Sequence, residues 1–260
     1  MPLLLTEGGR AQTWSLFVEP DGQPGAVNMA IDAWLLEQAD RTGGAVLRLY
    51  RFVPPCLSLG RNEPARERYD REAISRLRLD VVRRPTGGRA VWHEHELTYA
   101  VAAPVAAFGS LRDSYRAIHG RLAAALRALG ADATLAPDRP TAPRPDRPGP
   151  CFAMPIGGEV LVGGRKVIGS AQVRAGRAFL QHGSILLAGS QEILGAVSRQ
   201  PSAVSATTLS AALGRPVGFD EVANAIVRAW DDVTPTAPYR PLPSRTAAAR
   251  CSDPAWTWRR

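Results

Sequence analysis

The sequence predicts an α+β fold: a mixed, largely antiparallel β-sheet flanked by helices. Three observations carry this. The apolar pattern switches between a period of two and a period of three to four, without the strict strand–helix alternation of a parallel sheet. Residues 159–187 hold three strand-like runs punctuated by Gly163-Gly164 and Ala175-Gly176, which reads as an antiparallel meander. The 260 residues are 45% hydrophobic and 22% charged, an ordinary globular mixture. We assign one folded domain to residues 1–234 and a Pro-rich, irregular tail to 235–260.

The elements follow in order. Asn28–Gln38 carries apolar residues at Met29, Ala30, Ala33, Trp34, Leu35 and Leu36 with polar residues between them, an amphipathic helix. Val46–Val53 alternates as a strand until Pro54-Pro55 breaks it, and Cys56–Leu59 is a second, shorter strand. Pro64–Leu77 reads as a charged surface helix. Asp80–Arg84 and Ala90–Val101 read as strands around a tight Gly-Gly loop. Leu111, Tyr115, Ile118, Leu122, Leu126 and Leu129 recur three or four apart, so Leu111–Leu129 is a helix that Gly130 ends. Pro137–Pro150 contains six prolines and is neither helix nor central strand. The meander strands are Glu159–Val162, Lys166–Arg174 and Ala178–Leu187, and helices are expected at Gln191–Ser198 and Asp220–Trp230.

Composition narrows the function. No apolar run approaches the roughly 20 residues of a membrane span. The first ten residues lack the basic region of a signal peptide. Cys56, Cys151 and Cys251 are too few and too scattered for a disulfide framework. A cytoplasmic protein is expected. The net charge of +8 favours an acidic partner, but the arginines form no basic block, so nucleic acid is not expected. His93 and His95 have no third ligand at a metal-site spacing, so no metal is expected.

Lys166 is the only lysine among 32 basic Lys and Arg residues. Arginine keeps its proton in a protein, whereas lysine also serves as a compact point charge or gives the proton up. Lys166 stands just before Gly169-Ser170-Ala171, small residues of the kind that mark close ligand approach in a strand. The densest polar segment is Arg83-Arg84-Pro85-Thr86-Gly87-Gly88-Arg89-Ala90-Val91-Trp92-His93. Its glycines let the backbone approach a ligand and present N–H groups to an anion or carbonyl. It is neither a Walker loop nor a dinucleotide fingerprint. Cys151 follows the proline segment, and a thiolate beside an ammonium is a good nucleophile. A buried, inert cysteine is the plainer alternative, and Cys56 fits it. His182 stands in Gln181-His182-Gly183-Ser184 on the last meander strand, placed to line a pocket. His119, on the long helix, reads as structural.

Taken together, these segments resemble the lipoate-protein ligase A and octanoyltransferase superfamily, which shares its catalytic fold with biotin protein ligase. Asn28-Met29-Ala30-Ile31-Asp32, Leu57-Ser58-Leu59-Gly60-Arg61, Arg83 to His93, Lys166-x-x-Gly-Ser-Ala171 and Gln181-His182-Gly183-Ser184 match it in order. The likeness spans about residues 14–215. Arg89 stands where lipoate ligases usually carry a third glycine. His93-Glu94-His95-Glu96-Leu97-Thr98-Tyr99 and Cys151-Phe152 are more similar to the acyl-carrier-dependent octanoyltransferases.

The resemblance implies a biotin/lipoate protein ligase-like catalytic domain that moves an octanoyl group from octanoyl-acyl carrier protein onto a lysine. The acceptor is a lipoyl domain of a 2-oxoacid dehydrogenase E2 subunit or the glycine-cleavage H protein. Cys151 becomes the acyl-thioester and Lys166 lowers its pKa. Substrate binding falls to Arg84, Thr86, Gly87, Gly88, Arg89, Ala90, His93, Gly169, Ser170, Ala171 and His182. No cofactor is required, and a monomer is expected. Both partners are typically acidic, which gives the positive charge a use. The alternative is a ligase that activates free lipoate with ATP and magnesium, in which Cys151 is a spectator. A silent acyl-binding module of the same fold is a third reading.

Overall fold

The computed structural model describes residues 14–137, 157–199, 206–230, 233–235, 251 and 253–259. The first strand, β1 (Trp14–Gln23), leads into helix α1 (Gly25–Thr42) and strands β2 (Ala45–Phe52) and β3 (Cys56–Leu59). Two short helices, α2 (Ala65–Arg68) and α3 (Arg71–Arg76), precede β4 (Asp80–Arg83), β5 (Val91–His93) and β6 (Glu96–Pro104). Helix α4 (Leu111–Ala128) and β7 (Ala133–Leu135) come next, then β8 (Val160–Val162), β9 (Arg165–Lys166), β10 (Ile168–Ala175) and β11 (Ala178–Leu186). Helices α5 (Ile193–Val197), α6 (Leu209–Leu213) and α7 (Phe219–Arg228), strand β12 (Val233–Pro235) and helix α8 (Pro254–Thr257) complete the described chain.

The main sheet has the order β10-β11-β6-β2-β1-β12. β10, β11, β6 and β2 pair antiparallel, while β1 pairs parallel with both β2 and β12. Two three-stranded sheets, β4-β3-β5 and β7-β8-β9, flank it. The mixed, largely antiparallel α+β class read from the sequence is the fold observed.

Alternation in the strands sorts side chains onto two faces. Tyr50, Phe52, Ala100, Ala102 and Leu180 pack with Met29, Ile31 and Leu35 of α1. Leu47, Leu49, Tyr99 and Val101 pack on the other face with Ile118, Leu122 and Leu126 of α4 and Val222 and Ile226 of α7. Trp14 meets Phe108 and Trp230 edge to face at 6.0 and 5.5 Å in that second core.

Several predicted elements divide. The helix expected at Pro64–Leu77 is interrupted at Tyr69-Asp70, because the Asp70 carboxylate accepts the Glu72 and Ala73 N–H groups and starts a new helix. The strand expected at Ala90–Val101 turns at Glu94-His95, and its halves join different sheets. The meander also divides: β10 and β11 form the expected hairpin, but the chain leaves β9 at Val167, so Lys166 belongs to a flanking sheet. Strands β1, β7 and β12 and helix α6 were not anticipated. Within the segment read as an irregular tail, α8 packs against β4.

Candidate active site

Register places the polar residues. Ala171 pairs with His182, His182 with Ala100, and Ala100 with Arg48. The row Gly169, Ser184, Thr98 and Tyr50 lies one step along on the same face, toward α1. The intervening row, Ser170, Gly183 and Tyr99, faces α4.

The α1 side holds a buried charge network. Asn28 and Asp32 stand one turn apart on α1 and both meet Arg48. Arg48 Nη1 donates to Asp32 Oδ1 at 2.9 Å, and its Nη2 donates to Asn28 Oδ1 at 2.7 Å. Arg48 Nε bonds Glu19 Oε2 at 2.5 Å, and the guanidinium lies 3.8 Å above the Tyr50 ring. The Tyr50 hydroxyl and His182 Nδ1 both reach Asp32 Oδ2 at 2.8 Å. Burial works to raise the Asp32 pKa, but the His182 hydrogen bond and the Arg48 charge outweigh it and hold the carboxyl below its usual range. Burial lowers the pKa of His182. A neutral His182 donates from Nδ1 to Asp32, so its Nε2 accepts the Thr86 hydroxyl, 2.5 Å away.

Thr86 belongs to the loop between β4 and β5, which Arg84 staples shut. Arg84 Nη1 donates to the Ser58 carbonyl and hydroxyl oxygens, both at 2.7 Å. Its Nη2 donates to the Gly87 and Arg89 carbonyls at 3.0 and 2.9 Å. Ser58 Oγ also lies 2.6 Å from His93 Nε2. The loop presses on Gly60 so closely that a Cβ there would stand 1.8 Å from the Gly88 carbonyl oxygen. Arg83 anchors the loop's base from below: Nη1 donates to the Gly60 and Glu63 carbonyls at 2.7 and 2.9 Å, and Nε to the Thr257 carbonyl at 2.8 Å.

Between this loop and the sheet lies a small pocket. Of the residues singled out in the sequence, Arg84, His93, Gly169, Ser170, Ala171 and His182 line it, together with Met29, Tyr50, Phe52 and Val91. Thr86 stands behind His182, and Gly88 approaches Ala171. Gly87, Arg89 and Ala90 are in the loop but not on the pocket wall. Lys166 is also off that wall; its Nζ donates to Glu159 Oε1 at 2.6 Å, with both side chains buried. Cys151 and residues 138–150 of the proline segment lie outside the described residues. His93 is buried and stacked on Phe52 at 4.0 Å, whereas His95 is exposed, so the two do not converge on one point.

Sequence reasoning missed Glu159, Arg48 and Tyr50, and gave His119 no part beyond packing. A signal existed for Arg48: it interrupts the apolar run Val46-Leu47-x-Leu49-Tyr50, and a charge at a doubly buried strand position requires a partner.

Residues 24–231 match the family of lipoyl protein ligase A/B catalytic domains. The chain belongs to this family. Among curated relatives it is similar to octanoyltransferase LipM of Moorella thermoacetica, 40% identical over 84% of this chain and 82% of that one. LipM of Geobacillus kaustophilus is 31% identical over 94% of this chain and 98% of its own length. Among solved structures, a lipoate-protein ligase A bound with ATP superposes with a TM-score of 0.75 at 21% identity, covering 94% of this chain and 96% of the other. The bipartite lipoate protein ligase of Thermoplasma acidophilum gives 0.74 at 21% identity, covering 96% and 97%. These two structural likenesses establish the family's fold. No helix among the described residues is long and apolar enough to cross a membrane.

Proposed function

We propose that this family member is an octanoyltransferase that moves an octanoyl group from octanoyl-acyl carrier protein to a lysine of a lipoyl domain or glycine-cleavage H protein. The observation that carries this is the 31–40% identity, over most of both chains, to relatives that are octanoyltransferases. The pocket suits the task. Met29, Phe52, Val91 and Ala171 give it apolar surface for an alkyl chain, and Arg84, His93, Ser170 and His182 give it polar groups.

Cys151 is the proposed nucleophile. Its thiolate attacks the octanoyl thioester, the carrier's sulfur leaves as a thiol, and octanoyl-Cys151 remains. The acceptor lysine, as a free amine, attacks that second thioester; the amide forms and the Cys151 sulfur takes back a proton. Lys166 supplies positive charge beside the thiolate. Backbone N–H groups of the Gly87-Gly88 loop or of Gly169-Ser170 receive the carbonyl oxygen as it gains charge. Arg84, Thr86, Arg89, Ala90, His93, Ala171 and His182 shape the pocket and hold the loop against it. Thioester exchange is nearly neutral and amide formation is downhill, so the reaction requires neither ATP nor metal. The enzyme acts as a monomer, in the cytoplasm.

The test is the intact mass after mixing with octanoyl-acyl carrier protein in the absence of ATP. The expected result is a gain of one octanoyl group that hydroxylamine removes and that Cys151→Ala lacks. ATP-dependent modification of a lipoyl domain by free lipoate, with no such adduct, would make the protein a ligase instead.

A further inference from the structure

His119 of α4 joins two parts of the site that the sequence keeps apart. Its Nδ1 lies 2.7 Å from the Gly158 carbonyl oxygen and its Nε2 lies 2.8 Å from Ser170 Oγ. A carbonyl oxygen only accepts, so Nδ1 carries the ring proton. Burial, with a contribution from the Lys166 charge, pushes the His119 pKa down to about 4, so the ring is neutral and Nε2 is a lone pair. Nε2 therefore accepts from the hydroxyl pair beside it: Ser170 Oγ lies 2.8 Å and the Tyr99 hydroxyl 3.3 Å away, and the two hydroxyl oxygens are 2.6 Å apart. The Tyr99 oxygen accepts from Gln181 Nε2 at 2.8 Å, and Gln181 Oε1 accepts from Gln172 at 2.8 Å. One backbone carbonyl thus fixes the His119 tautomer and anchors a hydrogen-bond chain crossing α4, β6, β10 and β11.

That carbonyl belongs to Gly158, at φ 83, immediately before Glu159. Glu159 is the residue whose buried carboxylate grips Lys166 Nζ. A shift of the Gly158 peptide moves the Glu159 backbone, and Lys166 with it. Neither His119 nor Glu159 lines the pocket.

We propose that His119 and Glu159 are positioning residues: Glu159 fixes the Lys166 ammonium beside the acyl site, and His119 fixes Glu159 through the Gly158 carbonyl while tying it to the Ser170 wall. The consequence for catalysis rests on the octanoyl-transfer reading; the positioning itself does not.

The chain's single lysine makes a direct test practical, because nitrogen-15 lysine labelling reports Lys166 alone. A buried ammonium held by a carboxylate gives a side-chain signal protected from solvent exchange. The wild-type protein is expected to show it and Glu159→Gln to lose it. His119→Gln places an acceptor near Ser170 but no donor at the Gly158 carbonyl, and is expected to weaken or lose the signal. His119→Asn keeps a donor at the Nδ1 position and is expected to restore it. Rates of Cys151 acylation should follow the same order, with His119→Gln down about tenfold or more. A signal unchanged in His119→Gln overturns the proposal. So does its absence from the wild type, or equal loss in the Asn and Gln variants alongside equal losses of Tm. A signal that behaves as expected in a protein that octanoyl-carrier does not acylate would leave the positioning intact and overturn the transferase reading instead.

Discussion

The Thr86 hydroxyl lies 2.5 Å from His182 Nε2, although 96 residues separate the two. This contact ties the β4–β5 loop to the main sheet, and it depends on Asp32 holding the other ring nitrogen. A neutral imidazole with Nδ1 committed to a carboxylate has only a lone pair to offer the loop. The loop's position is thus set through a histidine by a carboxylate on α1.

Asp32→Asn should therefore damage more than one contact. It removes the charge that balances buried Arg48 and the acceptor that sets the His182 tautomer. We expect a loss of about 3 kcal/mol or more in denaturant unfolding. Tyr50→Phe, which removes one donor to the same carboxylate, should cost about 1 kcal/mol. Equal effects of the two substitutions would argue that Arg48 is adequately held by Glu19 alone.

The protein should lose stability as the pH falls from about 6.5 toward 4. The folded-state pKa of His119 is about 4 against 6.5 in an exposed histidine, so the unfolded chain takes up the proton first. The stabilisation is complete above about 6.5 and is lost through this window, amounting to about 3 kcal/mol at about 1.4 kcal/mol per unit. His182, lowered by burial, acts with the same sign. Asp32, whose carboxyl is held down, adds a further loss only at lower pH, below its usual 3.8. Urea unfolding across this range should show the slope, and His119→Asn should flatten it. A variant as acid-sensitive as the parent would refute the assignment to His119.

Gly60→Ala should displace the β4–β5 loop, because the new Cβ meets the Gly88 backbone oxygen at 1.8 Å rather than a movable side chain. A stability loss of about 2–3 kcal/mol is expected. The KM for octanoyl-carrier should rise alongside it. Unaltered Tm and KM would show that the two backbones are not so closely packed.

Deleting residues 253–260 should loosen the same loop from below. It removes the Thr257 carbonyl from Arg83 Nε, and the Trp256 indole N–H from the Arg83 carbonyl at 3.1 Å. The expected cost is about 1–3 kcal/mol, and Trp256→Phe should account for about 1 kcal/mol of it. If thermal unfolding of the deletion matches the full chain, the C-terminal segment has no part in holding the loop.

Much of the site was legible in the sequence because its chemistry sits in short runs. The loop from Arg83 to His93, the segment Lys166 to Ala171 and the tetrapeptide ending at Ser184 each combine glycine with polar residues in a way that packing does not require. Nine of the residues they contain line one pocket. The charge network was harder to read. Asp32 and Arg48 each resemble a polar residue inside an apolar run, and their pairing depends on α1 lying across β2. Lys166 shows the limit most plainly: its strand was read as continuous with Ser170, but the chain changes sheets at Val167.

The sequence by itself determined the fold class, the family and the small set of residues that could carry chemistry, because periodicity and local composition are properties of neighbours along the chain. Tertiary structure alone decided which of those residues meet and in what protonation state. Three buried histidines, His93, His119 and His182, each place Nε2 beside a hydroxyl from a distant segment: Ser58, Ser170 and Thr86. Burial lowers the pKa of His119 and His182, and the partner on Nδ1 then dictates the tautomer. Desolvation and long-range hydrogen bonding exist only once the strands are in register.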